Sequence, residues 1–332
     1  MGMATITHEL LAIQRRHQTT FARLFAGEAV PTLPAICGEH LGYYGAPDAA
    51  DLAHWCENEL PTISEQLLAR GANATAFYPL VVEFIPWGVH FVDALFGARV
   101  FSTEYTVWSE ELAGSLSELS AVDVARHPLV QWTLEAMRRL LAQLPSPVAI
   151  TTPIFSSPLN VALNLFGERA LLEVAYPEPN TLRGIDAITA VIRDLHLLMR
   201  ASFPRERVRF YCSSTRYAPD DVGHVCGCST QLVGADTYTR FFAPGDAAVL
   251  RAYPGGGTIH LCGRHTQHLP TWRAMPELRA VQLNDAAADE FLAYYTGLRD
   301  DQLIYLAPTE MMSLAHILEI SGGRRVIYQG VP

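Results

Sequence analysis

The sequence predicts an α/β protein folded as a single (β/α)8 barrel. Short apolar segments alternate along the chain with longer segments of helical periodicity, which is the pattern of parallel βαβ units. Roughly seven to nine segments qualify as strands, which matches the number that a closed barrel requires. Hydrophobic residues make up 49% of the chain and charged residues 17%, as expected when strands are buried on both faces.

An open, doubly wound sheet is the alternative arrangement of the same elements. Its usual phosphate-binding sequence, G-x-G-x-x-G between a strand and a helix, is missing. The glycine run Gly255–Gly257 precedes a predicted strand instead of a helix. The barrel is therefore the favoured prediction.

The elements of the N-terminal half follow from periodicity and from turn residues. Apolar residues at helical spacing predict helices, and short buried runs next to glycine or proline predict strands. The predicted helices are Glu9–Phe25, Asp51–Arg70 with a bend before Pro61, Val89–Phe96 and His127–Leu144. The predicted extended segments are Pro31–Gly38, Ala74–Phe84, Ala98–Trp108 and Val148–Thr152.

The same criteria divide the C-terminal half. The predicted helices are Leu159–Phe166, Thr181–Phe203, Asp236–Arg251, Ala286–Tyr295 and Met311–Ile320. The predicted strands are Arg207–Cys212, Gly223–Cys228, Thr258–Cys262, Arg279–Leu283, Gln302–Ala307 and Arg325–Gln329. Because neither a linker nor a repeat interrupts the pattern, residues 1–332 are predicted to form one barrel domain with a helical extension at the N-terminus.

Composition excludes several classes of function. A net charge of −10 without any basic run argues against binding of nucleic acid. The longest apolar stretch, Ala76–Ile85, is too short to span a bilayer and contains a proline and a glutamate. Six cysteines in 332 residues do not make a disulfide framework, and the start of the sequence has no export signal. We therefore expect a cytoplasmic protein with free thiols, a small-molecule substrate and enough apolar surface for a possible homodimer.

A candidate metal site lies on the predicted strand Thr258–Cys262. Side chains alternate between the faces of a strand, so His260 and Cys262 point the same way and could hold zinc. Such a pair is also common in ordinary strands without a metal. Cys226 and Cys228 form a second pair on the preceding predicted strand. Neighbouring strands lie about 4.8 Å apart and zinc–sulfur bonds measure about 2.3 Å, so one ion could be shared between both pairs.

Other reactive side chains also fall at predicted strand ends, where barrel enzymes place their active sites. Glu83, Asp285 and Glu310 are candidate acid/base residues, and either glutamate could supply a further metal ligand. The candidate substrate-binding residues are Tyr78, Asn284 and Tyr328. The structural alternative is that the glutamates cap helices or pair with arginine. Free cysteines are commonly buried as small apolar residues, which is the expectation for Cys37, Cys56 and Cys212.

Several of these segments carry a family resemblance. Thr258–Gly263 reads T-I-H-L-C-G and is similar to the I-H-x-C-G strand of methylcobamide:coenzyme M methyltransferases. Pro153–Leu159 with Leu165–Gly167 resembles the proline-rich strand end and helix of the same proteins, and Ala235–Pro244 resembles a later helix. The chain thus resembles the uroporphyrinogen decarboxylase superfamily, and its cobalamin-dependent methyltransferase branch more than true uroporphyrinogen decarboxylase.

The resemblance implies a (β/α)8 barrel, a zinc ion and methyl transfer between a corrinoid and a thiol, with a corrinoid protein as a possible partner. In that branch the zinc ligands are the histidine and cysteine of the H-x-C strand and a cysteine of the final strand. The final strand here, Arg325–Gln329, has no cysteine. Either a third ligand comes from elsewhere, with Cys226, Cys228, Glu83 and Glu310 as the candidates, or the chain binds no zinc.

True decarboxylases of the family carry an arginine-rich R-Q-A-G-R segment that binds the porphyrinogen carboxylates. The corresponding segment, Leu33–Tyr44, contains no arginine. Because a substrate with many carboxylates needs several cationic partners, porphyrinogen decarboxylation is disfavoured.

Three classes of function stay open from the sequence. The first is a zinc-dependent methyltransferase acting between a corrinoid or small methyl donor and a thiol. The second is a lyase or decarboxylase of the same fold, with Glu83, Asp285 or His260 as the acid/base. The third is a binding subunit without catalysis. Metal content separates the first class from the other two.

Overall fold

The computed structural model describes residues 6–104, 106–210, 212–213 and 215–330 of the chain. It shows an α/β fold with mostly parallel strands. The strands are β1 (Ala35–Ile36), β2 (Gly42–Tyr43), β3 (Val81–Phe84), β4 (Val100–Ser102), β5 (Val107–Ser109), β6 (Ala149–Thr151), β7 (Val208–Arg209), β8 (Cys212–Ser213), β9 (Arg216–Tyr217), β10 (Gly223–Cys226), β11 (Gly257–Cys262), β12 (Leu278–Asn284), β13 (Leu303–Leu306) and β14 (Val326–Gln329).

Helices connect most of these strands, and several begin at a side chain that caps the first turn. Thr7, Asp48, Ser157 and Ser313 each accept a hydrogen bond from a backbone N–H of the helix that follows. The helices are α1 (His8–Phe25), α2 (Ala49–Asn58), α3 (Leu60–Gly71), α4 (Phe91–Leu95), α5 (Pro128–Gln143), α6 (Pro158–Phe166), α7 (Glu168–Ala175), α8 (Pro179–Ser202), α9 (Ala235–Thr237), α10 (Ala243–Leu250), α11 (Leu269–Ala274), α12 (Ala286–Asp289), α13 (Phe291–Gly297) and α14 (Leu314–Ser321).

The parallel strands form two sheets. The larger has the order β1-β14-β13-β12-β11-β10, and the smaller has the order β2-β3-β6-β7. Single parallel bridges run from the two edge strands of the larger sheet, from Ile36 of β1 to Phe77 ahead of β3 and from Cys226 of β10 to Ser156 after β6. The pairs β4–β5 and β8–β9 are antiparallel and stand apart from these sheets.

Alternation along the strands divides the core into two layers. Val82 and Phe84 of β3 face the helices, together with alternate residues of β11 and β12. Val81 faces the opposite side and belongs to an inner cluster. The inner cluster consists of Phe21, Leu24, Phe25, Ile36, Phe77, Val81, Tyr217, Ala218, Val222, Ala280, Leu303, Tyr305 and Ile327.

The inner cluster receives three of its side chains from the N-terminal helix. Phe21, Leu24 and Phe25 of α1 share this cluster with Val222, just before β10, and Leu303, which begins β13. Arg279 of β12 donates a hydrogen bond to the carbonyl oxygen of Phe25. The helix therefore covers the amino ends of the strands. The carboxyl ends stay open for a site, which is where α/β folds place their chemistry.

Most of the predicted helices and strands are present in the structure, and several of them have different boundaries. The segment predicted as one helix over 236–251 is interrupted by a π-helical turn at Tyr238–Phe242. The C-terminal helix begins at Leu314, after the Ser313 cap, so Glu310 lies in a loop. Helix α7 was not predicted, and the strand predicted over Arg207–Cys212 is divided into β7 and β8, with residue 211 outside the described part. Within the described residues, no helix is both long and apolar enough to cross a membrane.

Candidate metal centre

A layer of polar side chains lies above the inner cluster, at the carboxyl ends of the strands. Strand register sets its layout, because Cys226 of β10 is opposite His260 of β11, and His260 is opposite Gln282 of β12. Opposite residues on adjacent strands point to the same face. The register thus places ligand-type side chains from three strands in one row.

Three thiols and one imidazole meet around this row. One ligand atom from each of Cys226, Cys228 and His260 lies within 4.8 Å of the other two. The Sγ atoms of Cys226 and Cys228 are 3.6 Å apart, and His260 Nε2 is 3.1 Å from Cys262 Sγ. Two sulfurs bound tetrahedrally to one zinc would be about 3.8 Å apart, given bonds of about 2.3 Å. The donor set and its spacing therefore fit zinc.

A hydrogen bond to the side-chain amide of Gln282 fixes the orientation of the His260 ring. The Oε1 atom of Gln282 accepts a hydrogen bond from His260 Nδ1 at 2.7 Å, and Gln282 is 1% exposed. Gln282 Nε2 in turn donates to Gln329 Oε1 at 3.2 Å. Because the Gln282 oxygen can only accept, Nδ1 carries a proton, and Nε2, which lies beside the Cys262 sulfur, is the ring nitrogen available to a metal.

The thiols have strongly perturbed acidities. The hydrogen bond from Cys228 is the largest influence on both neighbours and, with help from the charge on His260, lowers the pKa of Cys226 and of Cys262 although burial opposes this. The pKa of Cys228 is raised, because its proton is held between these two sulfurs. Burial lowers the pKa of His260, but the hydrogen bond with Cys262 and the charge on Cys226 outweigh burial and raise it. The cluster therefore has thiolate character, which a divalent cation can use.

Two glycines let the ligand segments approach each other. A Cβ atom on Gly227 would lie 2.8 Å from Cγ2 of the buried Ile259, and the Gly227 N–H donates to the carbonyl of His260 at 2.9 Å. Gly263, directly after Cys262, has a φ of +85°, which favours glycine over any other residue. Both positions keep the Cys226–Cys228 loop in contact with the end of β11.

A cavity of about 320 Å³ lies near this cluster, although none of the four candidate ligands lines it. His224 connects the two, since it lines the cavity and lies two residues before Cys226 on the same face of β10. The polar lining residues are His40, Tyr44, Glu83, Thr151, Thr152, Arg216 and His224, and the apolar ones include Ile85, Pro153, Ile154 and Phe210. Burial first, then the charges of Arg216 and His260, depress the pKa of His224 well below its usual value, so the ring is neutral.

Glu83 is the buried acid of the cavity, with no exposed surface. Its carboxylate oxygens lie 3.1 Å and 3.2 Å from Nδ1 of His40, and it accepts a hydrogen bond from the Tyr44 hydroxyl. The hydrogen bond to Glu83 is the largest influence on His40 and raises its pKa. The side chain of His40 is 61% exposed, so this pair links a buried carboxylate to solvent.

Comparison with proteins of known structure supports the fold. A methyltransferase from Methanosarcina mazei superimposes with a TM-score of 0.61 at 14% sequence identity, over 95% of this chain and 92% of that one. A B12-independent methionine synthase from Shewanella sp. W3-18-1, in complex with selenomethionine, gives a TM-score of 0.48 at 9% identity, over 90% and 89% of the two chains. No protein-family model matches the sequence, and no curated protein does. The first likeness shows the fold alone.

The remaining predicted site residues are only partly brought together. Asn284 lies opposite Cys262 and within 3.4 Å of Gln282, and the charge of Asp285 acts on Cys262. These two residues therefore lie near the candidate metal centre. Glu310 is exposed in the loop before α14.

The two predicted tyrosines lie elsewhere. Tyr78 hydrogen-bonds Cys37 and lines a separate cavity with Cys37 and Gln329. Tyr328 packs in the layer between strands and helices, because it faces away from Ile327 of the inner cluster. The expected burial of Cys37 and Cys56 is confirmed, and the side chain of Cys212 lies outside the described part.

Sequence reasoning missed the residues that surround the ligands. His224 and Gln282 could have been found, because each lies two positions before a named residue on the same strand and so shares its face. Arg216 and Tyr44 had no such signal. Arg216 belongs to the antiparallel pair β8–β9 and Tyr44 follows β2, and the tertiary fold brings both to the cavity.

Proposed function

We propose that this chain is a zinc-dependent, methyltransferase-like enzyme of the uroporphyrinogen decarboxylase superfamily, near its cobalamin-dependent branch. One observation supports this more than any other: a ligand atom from each of Cys226, Cys228 and His260 lies within 4.8 Å of the others. That arrangement supplies what the sequence pattern alone lacked, a replacement for the cysteine that the family places on its final strand.

We also propose that residues 1–332 form one domain and that the two parallel sheets close into a (β/α)8 barrel. The bridges Ile36–Phe77 and Ser156–Cys226 support closure, because they connect both edge strands of the larger sheet to the segments beside β3 and β6. The fold likeness to the Methanosarcina methyltransferase over 95% of the chain is in accord with this.

The residues present would hold zinc and prepare a thiol for methyl transfer. Zinc, when bound, supplies a Lewis acid that makes a coordinated thiol a thiolate at neutral pH. His260 and two of the three cysteines would hold the ion, with the remaining position left for a substrate, whereas all four side chains together would make a closed, structural site. Gln282 keeps the His260 proton on Nδ1, and the Cys228 hydrogen bonds stabilise the thiolate forms of its neighbours.

The cavity limits the size of what can bind beside the cluster. Its volume of about 320 Å³ lies at the small end of ligand pockets, so we assign it to a small thiol acceptor. A corrinoid would then approach from outside, carried by a corrinoid protein. That partner, a homodimeric state and a cytoplasmic location that keeps the thiols reduced are further parts of this proposal.

Metal analysis tests the proposal directly. Protein purified without added zinc should contain about one zinc per chain by elemental analysis. His260→Ala and Cys226→Ser should each lose most of it, because fewer protein ligands hold a divalent ion weakly. Cys56→Ser is the matched control, since Cys56 is a buried cysteine of α2 and should leave the metal content unchanged. Wild-type protein without stoichiometric metal would refute the proposal of a zinc-dependent enzyme.

A lyase or decarboxylase acting on a small substrate is the second candidate. The observation that favours it is Glu83, a fully buried carboxylate that faces the cavity and contacts His40 and Tyr44. A buried acid beside a solvent-linked histidine can pass a proton to and from a substrate. If the enzyme is metal-free and Glu83→Gln abolishes carbon dioxide release from a carboxylate substrate, this candidate replaces the first. Protein with neither metal nor turnover would support a binding subunit.

A further inference from the structure

A buried hydrogen-bond bridge joins the two segments that carry the ligands. His265 follows β11, and its Nε2 lies 2.6 Å from the carbonyl oxygen of Cys262. Its Nδ1 lies 2.8 Å from Oγ1 of Thr230, two residues after Cys228. Neither His265 nor Thr230 has any exposed surface.

The chemistry of the atoms fixes the direction of these bonds. A carbonyl oxygen only accepts, so Nε2 of His265 carries the proton that goes to Cys262. In the neutral ring Nδ1 then accepts, and the Thr230 hydroxyl is its donor. The same hydroxyl lies 2.9 Å from the carbonyl oxygen of Gly227, and its one proton can serve one of these acceptors at a time.

A second histidine supports the bridge. Nε2 of His268 lies 2.8 Å from the carbonyl oxygen of Thr230, so it donates to the backbone of the same loop. On the other side of the loop, the Ser229 N–H donates to Oδ1 of Asn160 at 2.9 Å. The loop that carries Cys226 and Cys228 is therefore held by three imidazole and amide groups from other segments, and His265 alone reaches a metal-ligand residue on β11.

We propose that His265 and Thr230 are positioning residues that set the separation between the Cys226–Cys228 loop and Cys262. The β10–β11 ladder, in which Cys226 is opposite His260, and the backbone bond from Gly227 to His260 fix the start of the loop against β11. The part of the loop after Gly227, which carries Cys228, is held by the bridge and by the contacts with Asn160 and His268. Without the bridge, the sulfur of Cys228 would move relative to His260 and Cys262. The inference rests on the proposed zinc site and extends it to residues that touch no metal.

Paired substitutions at Thr230 test the bridge. Thr230→Val keeps the shape but removes the hydroxyl, and it should weaken zinc binding about 10- to 100-fold in competition with a chromogenic chelator. Thr230→Ser retains the hydroxyl and should restore binding to near the wild-type level. Thr133→Val is the matched control, because Thr133 is an equally buried threonine whose hydroxyl bonds within helix α5, distant in sequence from the site.

Cobalt substitution supplies a readout that general destabilisation would not change. Co²⁺ bound to wild type and to Thr133→Val should give the same visible absorption, whereas Thr230→Val should shift it through altered coordination. His265→Gln retains a donor for the Cys262 carbonyl but loses Nδ1, so it should resemble Thr230→Val. The double variant Thr230→Val/His265→Gln should bind zinc no more weakly than either single variant, since both substitutions remove the same hydrogen bond.

The possible outcomes separate the two proposals. If wild type binds no metal, the proposed zinc site and the proposed role of the bridge are both wrong. If wild type binds zinc, and Thr230→Val and His265→Gln bind it as tightly and give the same cobalt spectrum, only the proposed positioning role of the bridge is wrong. If Thr230→Val does not fold, the comparison of His265→Gln with wild type decides the question.

Discussion

Gly227 shows how much the candidate site depends on single atoms. It separates Cys226 from Cys228, two candidate metal ligands, and its N–H donates to the carbonyl of His260, the candidate ligand on the next strand. Its φ of −114° is accessible to any residue, so conformational freedom does not explain the glycine. Space does, because a methyl group here would meet Ile259, which is fully buried and cannot move away without disturbing the strand.

Gly227→Ala should therefore displace the Cys226–Cys228 loop from β11 and reduce the zinc content while the protein stays folded. We expect bound zinc to fall at least several-fold while the far-ultraviolet circular dichroism stays unchanged. Gly234→Ala is the control, since a Cβ atom there meets nothing within 4 Å. Full metal content in Gly227→Ala would show that the loop tolerates the displacement.

At the scale of elements, the helical segment after β10 contains a buried acid that no sequence pattern indicated. Asp246 of α10 is 1% exposed, and its Oδ2 accepts a hydrogen bond from the Tyr238 hydroxyl at 2.6 Å. The Trp272 indole N–H in turn donates to that hydroxyl at 3.0 Å. Burial raises the pKa of Asp246 to about 7, although the bond from Tyr238 acts in the opposite direction.

This acid should make folding stability depend on pH. An unfolded aspartate has a pKa of about 3.9, so between that value and 7 the folded state binds the extra proton. The favourable contribution of Asp246 to the free energy of unfolding is complete below pH 4 and is lost as the pH rises through 7. A shift of this size corresponds to roughly 4 kcal/mol in the free energy of unfolding.

Asp246→Asn should remove the dependence, because its amide stays neutral and can still accept from Tyr238. Urea unfolding between pH 5 and pH 8 should show a smaller decline for the variant than for wild type, and greater stability of the variant at pH 8. Asp194→Asn, at an exposed position paired with Arg193, should keep the wild-type slope. Equal slopes in all three proteins would mean that Asp246 does not carry the extra proton.

The element boundaries show where sequence patterns were sufficient. Periodicity located α1, α5 and α8 to within about two residues, because long amphipathic helices repeat the signal many times. The helix predicted over 236–251 was wrong in its middle, where a π-helical turn is inserted. Tyr238 lies in that turn and its hydroxyl donates to Asp246, a contact that regular helical spacing does not predict.

At the scale of the whole molecule, folding should not depend on the metal. A chain of 332 residues buries enough apolar surface to fold without a cation, unlike a zinc finger. After removal of zinc by a chelator, the protein should retain its circular dichroism and unfold cooperatively at a somewhat lower temperature. Loss of all structure on chelation would assign the metal a structural role.

The absence of arginine from Leu33–Tyr44 leads to a second prediction at this scale. Arg216 lines the cavity, but a porphyrinogen with several carboxylates needs several such groups, and a volume of about 320 Å³ favours a small ligand. Incubation with uroporphyrinogen should yield no coproporphyrinogen by chromatography, with a true decarboxylase as the positive control. Measurable turnover would contradict this account of the cavity.

The sequence by itself determined the alternation of strands and helices, the H-x-C strand and the pairing of His260 with Cys262, because these depend on spacing within one segment. It also indicated that Cys226 and Cys228 were available. Only the tertiary structure decided that these cysteines reach His260, since the register between β10 and β11 depends on packing across the whole sheet. The Gln282, Thr230 and His265 contacts were decided in the same way, because each joins residues at least 20 positions apart.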